Sequence, residues 1–314
     1  MSEAPLPVEP AHRRRPRVGY AMAASAATLW AINGIVSKVI LASGVSSLRL
    51  SQVRTTGALV GLVLVLCVMA PSRLRVRACE LPFLAVFGIC GLAFVQWLFF
   101  LSIHRLAVGI ALLIEYLGAL LVALWARYVF HEPVRRRVWL ALALALFGLA
   151  LIVDVGESGP ISTAGVAFAL AAAVAYTAYF LLAERGVGDR DAVSLLAWGF
   201  GFAALFYAMI APWWSFPAGR VAEDVSLLGH LDASHLPVWA LMTWMIVVGT
   251  ILPFFLLVSA LEHLPATRVA IIAMLEPVVA TVVAWAWLGE SLSAMQLTGA
   301  VVVLAAIVLA QTAR

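Results

Sequence analysis

The sequence predicts an all-α membrane protein, with ten transmembrane helices in two inverted five-helix repeats. Only 11% of the 314 residues are charged, whereas soluble domains carry about 25% charged residues. The apolar residues also form blocks of about 20, the number of helical residues that crosses a hydrocarbon core. A third observation, a pattern that recurs between the two halves, predicts the repeats.

The apolar blocks are apolar on every side, as in residues 140–153 and 278–288, which is typical of helices rather than of alternating barrel strands. Because unpaired backbone groups are not tolerated in lipid, each block must be helical. An arginine-bearing tail, residues 1–17, precedes them. The predicted spans are residues 18–41, 48–70, 81–101, 107–130, 137–155, 163–184, 192–212, 237–261, 266–288 and 294–311.

Arginine is distributed unevenly between alternate loops of this arrangement, and cytoplasmic loops of membrane proteins carry an excess of Arg and Lys. The asymmetry predicts a multi-pass protein of the inner or plasma membrane with both termini in the cytoplasm and loop 213–236 outside. It also explains the net charge of +4 without a nucleic-acid partner. One side holds Arg13, Arg14, Arg15, Arg17, Arg73, Arg75, Arg77, Arg135, Arg136, Arg137, Arg185, Arg190 and Arg314, and the other holds Arg49, Arg105 and Arg220.

The repeat becomes visible when residues 104–151 are aligned with residues 262–309, a shift of 158. Leu106 then aligns with Leu264, and Glu132 aligns with Glu290. Each predicted half, residues 18–155 and 156–314, holds five spans. Because five is odd, the second half must lie upside down relative to the first, an arrangement typical of secondary transporters.

Four sequence features resemble one known family: residues 30–38 in the first span, Arg54 in the second, Leu275-Glu276-Pro277 in the ninth, and Leu288-Gly289-Glu290 at its end. With ten spans in two halves, the chain resembles the EamA-type members of the drug/metabolite transporter superfamily. The resemblance implies a central cavity that opens alternately to the two sides, usually for export of amino acids or related metabolites. The first half departs from the family at two places, Ala119 and His131-Glu132-Pro133, where proline and Leu-Gly-Glu are commoner.

The strongest candidates for a functional site are Glu115 and Glu276, which lie near the middle of the fourth and ninth spans. A charge at this depth costs at least about 2.5–3.5 kcal/mol, so each carboxyl needs a partner, a cavity or a function. Two interpretations remain open: the pair binds a cationic group or exchanges protons, or both are structural partners of Arg54. Pro277 predicts a bend in the ninth span, as a gate or as a static kink.

Polar and aromatic side chains inside the spans are further candidates. They could line a cavity for an amphipathic solute, or they could be ordinary packing residues. Buried amides demand hydrogen-bond partners, so the functional interpretation has more support for the two amides than for the aromatic residues, and both interpretations stay open. These candidates are Trp30, Asn33, Gln96, Tyr116, Tyr176, Tyr179 and Trp244.

The sequence contains neither a P-loop nor an HExxH motif, and its three cysteines lack the spacing of metal ligands. We therefore expect no enzyme activity, no catalytic residues, no metal and no cofactor. The predicted function is secondary active export of small metabolites by alternating access, with proton coupling as one option. The expected partners are a small-molecule substrate, protons and the lipid bilayer, and the protein is a monomer or a homodimer. The alternatives are a facilitator, an importer or a non-transporting binding protein.

Overall fold

The computed structural model describes residues 15–106, 108–153, 162–289 and 291–312. Within these residues ten helices are long and apolar enough to cross a membrane, which confirms the predicted all-α membrane class and the predicted number of spans. Residues 1–14 of the predicted tail, Glu290 and Arg314 lie outside the described residues. The helices are α1 (Pro16–Ala42), α2 (Ser47–Met69), α3 (Ala78–Ile103), α4 (Val108–Glu115 and Leu117–Tyr128), α5 (Arg136–Val153), α6 (Thr163–Asp189), α7 (Ala192–Ile210), α8 (Val238–Leu261), α9 (Ala266–Leu288) and α10 (Ala294–Thr312).

Local sequence signals set the ends of several helices. The side chains of Ser46, Ser162 and Asp191 accept a hydrogen bond from the backbone amide three residues later, at the starts of α2, α6 and α7. Such caps pair amides that have no intrahelical partner. At the end of α9, Gly289 takes the left-handed conformation with φ 72°, which glycine adopts without steric cost.

The packing of the helices is similar in the two halves. Helix α1 packs against α8 and α9, and its counterpart α6 packs against α3 and α4; α2 packs against α7, and α5 packs against α10. Exchanging the halves therefore leaves the set of neighbours unchanged. A Cβ added to Gly148 of α5 would lie 2.8 Å from the carbonyl oxygen of Gly299 in α10, so these backbones touch. Such close approach is typical of membrane helix pairs.

Contacts between loops form two groups, which lie on opposite faces of the molecule. On the arginine-rich face, the Arg190 guanidinium binds the Glu80 carboxylate at 2.5 Å and donates to the Arg75 carbonyl at 2.8 Å. These contacts join the loop between α6 and α7 to the loop between α2 and α3. On the opposite face, Arg49 at the start of α2 donates to the carbonyls of Ala211 and Pro212 after α7. Loops that the sequence assigned to one side therefore do lie together.

The opposite face carries the longest described loop, residues 211–237. It holds two short antiparallel strands, β1 (Asp224–Ser226) and β2 (His235–Pro237). Arg220 donates to the Ser43 carbonyl at the end of α1 at 2.8 Å, and the Trp287 indole donates to the Leu227 carbonyl at 2.8 Å. The loop is therefore fastened to both halves of the protein.

Candidate functional site

Two helices, α4 and α9, are interrupted midway, and the interruptions occupy equivalent positions in the two halves. Tyr116 separates α4a (Val108–Glu115) from α4b (Leu117–Tyr128), and Met274 separates α9a (Ala266–Ala273) from α9b (Leu275–Val283). These two residues are related by the shift of 158 that the sequence repeat predicted. A helix end leaves backbone groups without intrahelical partners, and lipid cannot supply them. Each interruption therefore creates a polar position inside the bundle.

Both candidate carboxyl groups lie at these interruptions. Glu115 is the last residue of α4a and is only 8% exposed. Glu276 lies in the first turn of α9b and is half-buried. The two side chains are close enough for their charges to interact. The fold thus gathers two acidic groups that are 161 positions apart in sequence.

Tyr116 connects the two interruptions directly. Its hydroxyl donates to Oε2 of Glu276 at 3.0 Å and also lies 3.4 Å from the carbonyl oxygen of Ala273. That carbonyl has no helical partner four residues later, because Pro277 lacks a backbone N–H. One hydroxyl from the first half therefore lies against two polar groups of the interrupted α9, the Glu276 carboxyl and the Ala273 carbonyl, and the shorter contact is to Glu276.

The interruption of α9 lies where Pro277 is expected to bend the helix, in the turn before the proline, but the first half shows that a similar interruption forms without proline. The helix is already interrupted at Met274, three residues earlier, and α4 is interrupted at Tyr116 although Ala119 replaces the proline. The Ala119 amide donates to the Tyr116 carbonyl at 3.0 Å. Proline is therefore not required for the interruption, and it occupies a first-turn position where a missing N–H costs little.

The pairing of both carboxylates with Arg54, one of the two interpretations, is not what the geometry favours. Within the described residues no ion pair joins Arg54 to Glu115 or Glu276. The Arg54 guanidinium lies 5.9 Å from the ring centroid of Phe254, and its Nε has no hydrogen-bond partner in the part of the chain that the structure describes. Arg54 is close enough to Glu276 for their charges to attract each other. It therefore contributes positive charge to the site without a direct salt bridge.

Aromatic rings form a continuous chain from the Tyr116 interruption to Arg54. Successive ring centroids lie between 4.7 and 5.7 Å apart, within the range of favourable ring contacts. Four predicted residues belong to this chain, and two phenylalanines that the sequence reading missed complete it. In order, the rings are Tyr116, Tyr176, Phe180, Tyr179, Phe254 and Trp30.

Several polar atoms of this aromatic chain have no hydrogen-bond partner among the described residues: the Trp30 indole nitrogen and the hydroxyl oxygens of Tyr176 and Tyr179. An unpaired buried polar atom costs about 1–3 kcal/mol. Such atoms are exceptional in proteins and occur at functional sites. The chain therefore offers hydrogen-bonding capacity that a polar ligand could use.

Asn33 lies beside the same region. It is buried, and its Oδ1 has no hydrogen-bond partner among the residues described. A Cβ added to Gly249 of α8 would lie 2.1 Å from that oxygen. Only glycine at position 249 allows α1 and α8 to approach with the amide between them. Sequence reasoning missed Gly249, because one glycine in an apolar segment carries no distinct signal.

Two predicted site residues lie elsewhere in the bundle. Trp244, only two turns after the start of α8, packs against an apolar cluster that includes Val39, Ile40 and Leu241, not against the aromatic chain. The predicted grouping of Trp244 with the central site therefore stays a prediction. Gln96 of α3 is half-buried, and its Oε1 lacks a hydrogen-bond partner among the described residues.

Comparisons with known proteins agree with this architecture. Threonine/homoserine exporter RhtA of Escherichia coli strain K12 is 30% identical over 267 residues, which cover 84% of this chain and 80% of the relative. The protein of the same name from Salmonella typhimurium strain SL1344 is 29% identical over the same length. An uncharacterized inner membrane transporter, YicL of Salmonella typhimurium strain LT2, is 24% identical over 292 residues, which cover 90% of this chain and 92% of YicL.

A solved crystal structure shares the fold, with a TM-score of 0.77 over 93% of this chain and 96% of that chain at 16% sequence identity. The EamA-like transporter family matches the chain twice, at residues 17–154 and 163–312. The two matches correspond to the two sets of five helices, and together they cover nearly the whole chain. The protein therefore belongs to the EamA-like transporter family.

Proposed function

We propose that this protein exports small amino-acid-like metabolites across the inner membrane by alternating access, and that protons moving the other way drive the export. The observation that carries the proposal is the contact of Tyr116 with Glu276, at the meeting point of two interrupted helices from different halves. Half-helix ends near the membrane midplane are the usual binding elements of secondary transporters. The substrate of the exporters that resemble this chain, threonine or homoserine, supports an amino-acid-like substrate here.

In the proposed cycle, residues 18–155 and 156–314 act as two inverted repeats that rock against each other around Glu115 and Glu276. When one of the carboxyls is ionised, it binds the ammonium group of the substrate; when it is protonated, the ammonium group is released. Because both carboxyls lie in an apolar interior, a net negative charge there is costly without a bound cation or proton. Substrate and proton therefore compete for the same acidic site, and this competition couples their movements in opposite directions.

The aromatic chain supplies the rest of the proposed site. Its rings present apolar faces to the substrate side chain, and the hydroxyls of Tyr176 and Tyr179 can bond a polar group. The Arg54 guanidinium attracts the substrate carboxylate, since no ion pair within the described residues neutralises it. We propose that the arginine-rich face is cytoplasmic, so that the substrate reaches this site from inside the cell.

The experiment that tests this function uses proteoliposomes and a panel of radiolabelled neutral amino acids that includes L-threonine and L-homoserine. We expect transport of at least one compound, accelerated by a pH gradient directed against it. Transport that follows only the substrate gradient would make the protein a facilitator. No transport of any compound on the panel would overturn the proposal.

The orientation has its own measurement, which uses single cysteines in a variant without the three native ones. We expect a membrane-impermeant reagent to label position 226 but not position 14 in intact cells. The reverse labelling pattern would place the arginine-rich face outside and would reverse the assigned direction of transport.

A further inference from the structure

The arginine-rich face contains a cavity that is separate from the two helix interruptions. It has a volume of about 300 Å³, comparable to a small-ligand pocket. Its walls come from the loop after α4, the end of α6 and the start of α9. The lining residues are Glu132, Pro133, Val134, Arg135, Val138, Glu184, Pro265, Thr267 and Arg268.

The charges that line this cavity are balanced, with two guanidinium groups, Arg135 and Arg268, and two carboxyl groups, Glu132 and Glu184. A cavity for an anion or a cation would carry an excess of the opposite charge. An equal number of both signs is complementary to a zwitterion, whose carboxylate suits a guanidinium fork and whose ammonium group suits a carboxylate.

Two of the charged groups are held in place by the fold. Glu184 is half-buried, and its Oε1 accepts a hydrogen bond at 2.9 Å from the Ala266 amide at the start of α9a. Arg268, also half-buried, contacts the Tyr20 hydroxyl of α1 at 3.3 Å. Fixed charges lose less conformational entropy when a ligand binds than flexible surface side chains do.

The cavity is connected to the interrupted helices through α9a. This helix begins at the cavity wall and ends at the Met274 interruption beside Glu276. From Arg268 to Met274 the helical rise is about 9 Å. A ligand in the cavity therefore lies about two helical turns from the proposed transport site.

We propose that this cavity is a recruitment site for zwitterionic amino acids, which bind here before they move along α9a to the central site. Arg135 binds the carboxylate and Glu132 binds the ammonium group at the rim, while Glu184 and Arg268 form the inner wall. The proposal rests on the proposed export function, because it takes the arginine-rich face to be the side from which the substrate comes.

The test uses inverted membrane vesicles, in which the cytoplasmic face points outward, and measures the KM for L-threonine uptake. Both Arg135→Gln and Glu132→Gln should raise KM about three- to fivefold, a size typical of charge contacts between exposed groups. The matched controls are Arg137→Gln, in the same arginine cluster but outside the cavity, and Asp189→Asn on the same face. We expect each control to leave KM unchanged, and Arg135→Lys to retain most of the wild-type affinity.

Two modified probes separate a zwitterion site from a general charge effect. L-Threonine methyl ester lacks the carboxylate charge, so Arg135→Gln should not weaken its inhibition of uptake. N-Acetyl-L-threonine lacks the ammonium charge, so Glu132→Gln should not weaken its inhibition. A KM for L-threonine that both variants leave within twofold of the wild type would overturn the recruitment site, whereas the export function would stand.

A second measurement, the thermal stabilisation of detergent-purified protein by L-threonine, does not depend on transport. Stabilisation of the wild type that needs about three- to fivefold more L-threonine in Arg135→Gln and Glu132→Gln would support the cavity even if no transport occurred. In that case only the export function would fail. If the wild type neither binds nor transports L-threonine, L-homoserine or another neutral amino acid, both proposals are wrong.

Discussion

The interruptions of α4 and α9 share one backbone design but differ in the side chains that surround it. In the first half, Glu115 ends α4a, and a negative charge is disfavoured there because the carbonyl end of a helix is itself partly negative. In the second half, Glu276 lies in the first turn of α9b, where the amide end stabilises negative charge. When the site holds one proton, we therefore expect Glu115 to carry it. The repeat supplies two equivalent interruptions, and the side chains beside them give the two interruptions different electrostatic roles.

The largest expected effect concerns this division of roles. Glu276→Gln should lower pH-gradient-driven transport at least about tenfold, because one lost charge contact to a bound ammonium group is worth more than about 1.4 kcal/mol. Glu115→Gln should retain substrate binding but abolish the response to the pH gradient, since glutamine mimics the protonated carboxyl. Transport by both variants in proteoliposomes is the measurement.

The matched control for these variants is Glu262→Gln, at the end of α8 and away from both interruptions. The melting temperature of each variant must be measured together with its transport rate. If both Glu variants had strongly lowered melting temperatures, the carboxyls would be structural partners of a buried cation. Leaving such a cation unpaired costs about 3–5 kcal/mol. Two stable variants with an unchanged pH response would refute the coupling mechanism.

The next effect concerns the contact that joins the two interruptions. Tyr116→Phe removes the hydroxyl that bonds Glu276 and should lower the free energy of unfolding by about 1.5–3 kcal/mol, the range for hydrogen bonds to charged groups. Tyr176→Phe is the matched control, because the Tyr176 hydroxyl has no partner within the described residues. Equal losses in SDS-induced unfolding would show that the hydroxyl of Tyr116 contributes nothing specific.

A smaller effect is expected at the ends of the same two helices. His131 has φ 56°, and the repeat aligns it with Gly289, which has φ 72°. A left-handed conformation costs a residue with a side chain about 1–2 kcal/mol. His131→Gly should therefore stabilise the protein by about 1 kcal/mol, and Gly289→Ala should destabilise it by a similar amount. A destabilised His131→Gly variant would indicate that the imidazole makes contacts worth more than the backbone strain.

The smallest effect concerns Pro277 itself. Because α4 is interrupted without a proline, Pro277→Ala should change the free energy of unfolding by less than about 1 kcal/mol and transport by less than about threefold. A tenfold loss of transport would mean that proline is needed for movement at the gate, and that the two interruptions differ in mechanics as well as in charge.

The amino-acid sequence by itself determined the fold class, the number of spans and the equivalence of the two halves. These properties follow from segment length, apolar content and arginine placement, which act locally in a bilayer and require no knowledge of packing. The two interruptions found in the structure, at Tyr116 and Met274, differ by the shift of 158 that the sequence repeat shows. The sequence also identified Glu115 and Glu276 as candidates, because an acidic residue inside an apolar segment needs an explanation wherever the segment packs.

Only the tertiary structure decided which of these residues act together. Tyr116 meets Glu276 across 160 positions, Phe180 and Phe254 complete the aromatic chain, and Arg54 faces a ring rather than a carboxylate. Trp244 packs against a different apolar cluster, and its depth depends on where α8 begins relative to the other helices. Every helix in lipid is apolar on most sides, so hydrophobic periodicity does not indicate which face meets which neighbour. The close packing of small residues and the pairing of polar groups determine which helix faces contact each other.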